Sequence, residues 1–151
     1  MSRRLINKSV TIRTNPKAAF RAFVDPNQLI SWLHAHSAVV ALCKNGPYGI
    51  GWNASDDGDF YVCCGKIKSF VPNKLLKISE LTYFFSNKKK IGPLNLSFSF
   101  QRSKNETLLS LHQYGAGTGK DWDRNFDAVY TSWEEALYLL RTHFEKVKTN
   151  D

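Results

Sequence analysis

The chain predicts an α+β fold: a curved antiparallel sheet of about six or seven strands wrapped around one long C-terminal helix, with two short helices directly after the first strand. Three observations carry this. First, Trp122, Phe126, Val129, Trp133, Leu137, Leu140 and Phe144 fall four, three, four, four, three and four apart. At roughly 100° per residue they occupy an arc of about 80°, one face of a single helix, which Ala136 and Val147 widen. At about 1.5 Å per residue, Trp122 to Lys146 is a rod of roughly 35–40 Å, and so aromatic a face needs a broad apolar surface to lie on. Second, the segments upstream alternate apolar and polar residues with the period of two of half-buried strands. Third, Asn15-Pro16 and Asp25-Pro26 are each a capping residue followed by proline at the first helical position.

The elements follow in order. Leu5 to Arg13 sets Ile6, Lys8, Val10 and Ile12 against Asn7, Ser9, Thr11 and Arg13, an opening strand. The first short helix presents Phe20, Phe23 and Val24, the second Leu29, Ile30 and Leu33. Ala38 to Leu42 reads as a strand, Gly46-Pro47 as a turn, and Tyr48 to Trp52 as a strand with its bulk on one face because Gly49 and Gly51 occupy the other. Asp56-Asp57-Gly58-Asp59 is a hairpin signal. In Phe60 to Val71, solvent-facing Lys66 and Lys68 leave Tyr61, Cys63, Gly65 and Ile67 inward. In Leu75 to Leu81, outward Lys77 leaves Leu76, Ile78 and Glu80 inward. A loop with Lys88-Lys89-Lys90 and Gly92-Pro93 follows. Leu94, Leu96, Phe98 and Phe100 share one face of the next strand, and Leu109, Leu111 and Gln113 one face of Thr107 to Tyr114.

With 151 residues and 42% hydrophobic content, residues 1–151 fit a single domain able to build a core. No apolar run reaches the ~18–20 residues of a membrane span, and Met1-Ser2-Arg3-Arg4 opens no signal peptide, so a cytoplasmic protein is expected. Three cysteines point to reduced thiols, and adjacent Cys63 and Cys64 on a strand face opposite sides and cannot share a metal. The net charge of +8 raises nucleic-acid binding, but the basic residues are scattered over strand faces. No aromatic interleaves the one tight lysine run as a base-stacking module would need, so nucleic acid is not an expected partner.

Several local signatures together resemble a known family. They are the run from Asn15-Pro16 through Phe20, Phe23 and Asp25-Pro26 to Trp32, then Gly65 through Val71-Pro72-Asn73 to Leu75, and finally Trp122-Asp123, Phe126-Asp127, Trp133 and Leu137. The order is similar to the START-like (helix-grip, SRPBCC) superfamily, and within it to homologues of the activator of the heat-shock-protein-90 ATPase. The resemblance spans nearly the whole chain and implies the helix-grip fold, but no shared catalytic motif. Trp32-Leu33 stands where that family often has paired tryptophans, and Gly46-Pro47 where it often has a double glycine.

Candidate chemistry is sparse. Gly115-Ala116-Gly117-Thr118-Gly119-Lys120 has the setting of a phosphate-binding loop. The spacing fails at Tyr114 and Asp121, and Asp121 and Asp123 suit helix capping better than phosphate binding, so a lid or connector is expected. His34 and His36 with Cys43 lack further ligands at metal spacing, and no serine or cysteine sits in a nucleophile-type turn. Neither a metal nor another cofactor is expected.

The inward set therefore points to a cavity between sheet and helix. Its expected wall is Trp32 from the second helix with Tyr48, Trp52, Tyr61 and Cys63 from the first long strands. Ile78, Glu80, Phe98, Leu111 and Gln113 continue it on the later strands, and Trp122, Phe126, Val129 and Trp133 on the long helix. An apolar pocket with a few polar groups is how small-molecule sites look, so a small apolar or amphipathic ligand is expected. The resemblance implies two alternatives: a protein-interaction module with a chaperone or other protein partner, or a cavity enzyme of cyclase or hydratase type, for which Glu80 is the one inward carboxylate fit for acid–base work.

Overall fold

The structure is a computed structural model that describes residues 2–53, 60–86, 90–117 and 120–149, with side chains described for 5–53, 61–86, 90–115 and 126–145. Asp56 to Asp59, Lys88, Lys89, Thr118 and Gly119 lie outside the described residues, as do the side chains of Trp122 and Val147.

The elements run β1 (Ser2–Ile12), α1 (Pro16–Val24), α2 (Pro26–Leu33), β2 (Ser37–Val40), β3 (Pro47–Asn53), β4 (Phe60–Val71), β5 (Leu75–Phe85), β6 (Lys90–Ser103), β7 (Glu106–Gly117) and α3 (Lys120–Thr149). The seven strands form one antiparallel sheet in the order β1-β7-β6-β5-β4-β3-β2, so the first strand closes on the last and every other neighbour is sequential. This is the α+β arrangement that the periodicities predict.

Local chemistry explains the two helix starts. The Asn15 side chain accepts the Ala18 N–H at 2.8 Å, and the Asp25 carboxylate accepts the Asn27 N–H at 2.9 Å. Asp25 also ends α1, its N–H reaching the Arg21 carbonyl at 2.9 Å, so the two helices meet at a single residue. His34 closes α2 in the left-handed region, with φ of 55°.

On α3 the predicted stripe faces the sheet. Phe126, Val129, Leu137, Leu140 and Phe144 are buried, with Trp133 and Ala136 partly so. Leu94, Leu96, Phe98 and Phe100 supply the facing side chains from β6, and Leu109 and Leu111 those from β7. Each such large side chain contributes ~1.5–3 kcal/mol when fully buried. The α1 helix closes one end, where Phe23 meets Phe98 with ring centroids 4.5 Å apart and Phe20 meets Phe100 at 5.5 Å.

Three strand readings need correction. β6 begins at Lys90, so Lys90, Gly92 and Pro93 belong to a strand instead of the loop expected there. β5 runs on to Phe85 instead of stopping at Leu81, which the β-prone run Leu81-Thr82-Tyr83-Phe84-Phe85 supports. The glycine segment is no lid up to Gly117: Gly115, Ala116 and Gly117 belong to β7 and pair with Arg4, Arg3 and Ser2. The strand takes up Gly115 to Gly117, the first half of the run that resembled a phosphate loop.

A further correction concerns Glu80. Leu76 and Ile78 are buried as the alternation predicts, but the register then slips, and Leu81 and Tyr83 are the next buried residues. The slip is a bulge, with Glu80 at φ of 55°. The Glu80 side chain is 64% exposed and sits 3.3 Å from the Lys66 ammonium on the outer face of the sheet. Gly65 on β4 makes room for the bulge: a Cβ there would lie 2.8 Å from the Ser79 carbonyl oxygen and 3.0 Å from the Leu81 Cα.

Candidate functional site

The long helix lies along β1 and β6 and touches α2, while β3, β4 and β5 continue the curve of the sheet beyond it. A cavity of about 580 Å³ fills the space between those strands, α2 and the middle of α3. From α1 and α2 it is lined by Phe23, Leu29, Trp32 and Leu33, and from β3 by Tyr48, Ile50 and Trp52. Tyr61, Cys63, Leu81 and Tyr83 continue the wall on β4 and β5, and Leu96 and Phe98 on β6. Val129, Trp133, Ala136 and Leu139 close it from α3. Exposed His34, Ser132 and Glu135 form the rim.

One wall is an aromatic ladder set by strand register. Trp52 pairs across the sheet with Tyr61, and Tyr61 with Phe85. Their rings stack at 4.9 Å and 5.1 Å, within 19° and 14° of parallel. Tyr83, one diagonal step away, has its ring 6.0 Å from that of Tyr61 at 11°.

Most polar groups of the wall are tied to the protein. The Tyr48 hydroxyl donates to the Phe23 carbonyl at 2.7 Å, and the Trp32 indole N–H to the Ala22 carbonyl at 2.8 Å. The Trp52 N–H donates to the Leu33 carbonyl at 3.1 Å. The Trp133 N–H donates to Gln113 Oε1 at 2.6 Å, and Gln113 Nε2 donates to the Tyr83 hydroxyl oxygen at 2.8 Å. Gln113 is fully buried, so both ends of its amide need partners, and both have one.

Burial holds the tyrosines Tyr48, Tyr61 and Tyr83 protonated, each raised well above the ordinary phenol range. Burial first, and then the neighbouring Cys64, push the Cys63 thiol up to about 12, so it is an inert thiol instead of a nucleophile.

Of the residues expected on the wall, Trp32, Tyr48, Trp52, Tyr61 and Cys63 line the cavity, as do Phe98, Val129 and Trp133. Ile78, Leu111 and Phe126 are buried in the surrounding core and do not line it. Gln113 stands behind the wall and holds two of its members. Glu80 is on the opposite face of the sheet. Tyr83 lies beyond Leu81, where the alternation alone ends the strand; the aromatic run that follows is the signal for it. Phe23 and Leu29 belong to apolar helix faces, and such a face does not distinguish a filled core from a hollow one.

Among the described residues, no group of three or more His, Cys, Asp or Glu is placed to hold a metal ion. All three cysteines are free, Cys43 and Cys64 exposed and Cys63 buried. No described helix is long and apolar enough to cross a membrane.

No curated protein sequence matches the chain. Solved structures do. Protein CV1439 from Chromobacterium violaceum is 19% identical, with a TM-score of 0.72 over 93% of this chain and 97% of its own. Protein MLL2253 from Mesorhizobium loti is 18% identical, with a TM-score of 0.70 over 95% and 98%. Protein Ms6760 from Mycobacterium smegmatis is 11% identical, with a TM-score of 0.75 over 95% and 92%. At these identities the likeness establishes the START-like, helix-grip fold alone. The family is established by sequence: the model for Activator of Hsp90 ATPase homolog 1-like protein matches residues 13–145, and the chain belongs to that family.

Proposed function

We propose that the chain is a single binding domain that holds a small apolar or amphipathic molecule between its sheet and its long helix. The observation that carries this reading is the cavity of about 580 Å³. It lies within the ~300–1,000 Å³ of small-molecule pockets, where a filled core would have favoured an interaction surface. The wall is mostly aromatic and aliphatic with a few fixed polar groups, which is the make-up of such sites. With Glu80 on the outer face, no acid–base role is assigned to it and the domain is read as a binder. Free Cys43 and Cys64 on the surface suit a reducing, cytoplasmic setting.

The family match speaks for a second reading, a protein-interaction module acting on a heat-shock ATPase or another protein partner. Lys66, Lys68, Lys74 and Lys77 are all exposed on and beside β4 and β5, a basic face that would suit an acidic partner. Native mass spectrometry of freshly purified protein separates the two. A co-purifying small molecule, or stabilisation by apolar probes in a thermal-shift panel, supports the cavity reading. Stimulation of heat-shock-protein-90 ATPase activity, lost when those lysines are replaced by glutamate, supports the other.

A further inference from the structure

We propose that the cavity selects a neutral, flat ligand bearing a hydrogen-bond-accepting oxygen, a conjugated carbonyl compound, which it holds through the hydroxyl protons of Tyr61 and Tyr83. This rests on the ligand-binding reading and names the chemistry of that site.

The Tyr83 proton is assigned by its neighbours. An indole N–H can only donate, so the Trp133 contact at 2.6 Å fixes which end of Gln113 is oxygen. The amide nitrogen therefore faces Tyr83 and donates to its oxygen at 2.8 Å. The Tyr83 oxygen is thus an acceptor in that bond, and its own proton must be directed elsewhere. Tyr83 is only 5% exposed, and among the described residues nothing accepts that proton. Tyr83 lines the cavity, so an apolar ligand that displaces water there strands this donor, whereas a ligand oxygen accepts its proton.

Tyr61 repeats the pattern. Its ring is clamped between Trp52 and Phe85 and lies nearly parallel to that of Tyr83, and no described residue accepts its hydroxyl proton. The two phenols are close enough that ionising Tyr61 is opposed by Tyr83. The other hydroxyl and indole donors of the wall, on Tyr48, Trp32, Trp52 and Trp133, already have protein acceptors.

Charge narrows the class further. Glu135 and His34 sit exposed at the rim, and among the described residues neither lysine nor arginine lines the cavity. A carboxylate or ammonium on the ligand would lose its hydration without gaining a counter-ion inside. Flatness follows from the ladder of parallel rings, against which a planar conjugated body stacks with most of its area. The Cys63 thiol beside it stays protonated and does not add to a conjugated carbonyl.

Four rigid tricyclic probes test this on the whole chain at neutral pH: fluorene, fluorenone, fluorene-9-carboxylate and 9-aminofluorene, whose alkyl amine is an ammonium. Calorimetry or thermal shift should give fluorenone an affinity about tenfold above fluorene, the gain expected from two hydrogen bonds. The two charged probes should bind more weakly than fluorene. Tyr61→Phe and Tyr83→Phe should each lower fluorenone affinity about threefold, leave fluorene unchanged, and shift the bound carbonyl stretch to higher frequency. Should Tyr83→Phe fail to fold, the four probes on the unaltered protein still decide the matter. Equal binding of fluorene and fluorenone overturns the donor pair while leaving the cavity reading in place. Binding of none of the four overturns both.

Discussion

The indole N–H of Trp133, at the middle of α3, donates to the side-chain oxygen of Gln113 on β7 at 2.6 Å and pins the long helix to the sheet beside the cavity. Replacing Trp133 by phenylalanine keeps most of the packing but leaves a buried amide oxygen without a donor, a cost of about 1–3 kcal/mol. Trp133→Ala also loses the ring against Phe98, whose centroid lies 5.7 Å away, and should cost about 3–5 kcal/mol. Urea denaturation measures both. If Trp133→Ala melts within a degree or two of the unaltered protein, the stripe on α3 is not the core contact described above.

Glu80 is held by backbone geometry and contributes little through its charge. Its partner Lys66 is 56% exposed, and such surface pairs contribute about 0–1 kcal/mol. Glu80→Gln should therefore change stability by less than about 0.5 kcal/mol and leave probe binding untouched. Glu80→Val should cost about 1–2 kcal/mol although the side chain is exposed, because a β-branched residue resists the positive φ of 55°. Thermal melts of the two variants side by side test whether geometry or charge matters at this position.

Gly65→Ala probes the same bulge from the neighbouring strand. The new methyl would meet backbone at 2.8 Å and 3.0 Å, neither of which a side-chain rotation relieves, and the Ile78 side chain at 3.1 Å. We expect a loss of about 1–3 kcal/mol, read as a lower denaturation midpoint. An unchanged midpoint would show that β4 and β5 move apart freely beside the cavity.

The cysteines should divide by exposure. Cys43 and Cys64 should react within minutes with an aromatic disulfide reagent at neutral pH, whereas Cys63, buried with its thiol pushed up to about 12, should react only when the protein unfolds. A count of three rapid thiols would mean that solvent reaches the cavity wall freely.

Alkaline pH should destabilise the fold, and the sign follows from the direction of the shifts. Cys63, Tyr48, Tyr61 and Tyr83 all hold their protons more tightly when folded, chiefly because burial disfavours the charged forms. The unfolded chain releases them first, so stability is fully present below the ordinary thiol value of 9.0 and falls as pH rises beyond it, first through Cys63 and then through the tyrosines. Urea midpoints between pH 8 and 10.5 should drop continuously; a flat profile would contradict the burial of these groups.

Sequence periodicity was enough to determine which residues face inward wherever the strand was regular. Leu94 to Phe100, Leu109 to Gln113, Tyr61 to Ile67 and the stripe of α3 follow from it, because a period of two or 3.6 is a property of the local backbone. The helix starts were legible for the same reason, since Asn15 and Asp25 cap donors two or three residues away. Glu80 was not. Its face depends on a bulge whose room is made by Gly65 on another strand, and a one-residue slip exchanges the two faces of everything that follows. Gln113 could be read as a polar residue on an apolar face, but its partners lie 20 and 30 residues away, on α3 and β5. The cavity itself was decided last. Apolar faces on helix and sheet say that the two must meet, while only the curvature of the sheet and the line of α3 along β1 and β6 set how much space is left between them.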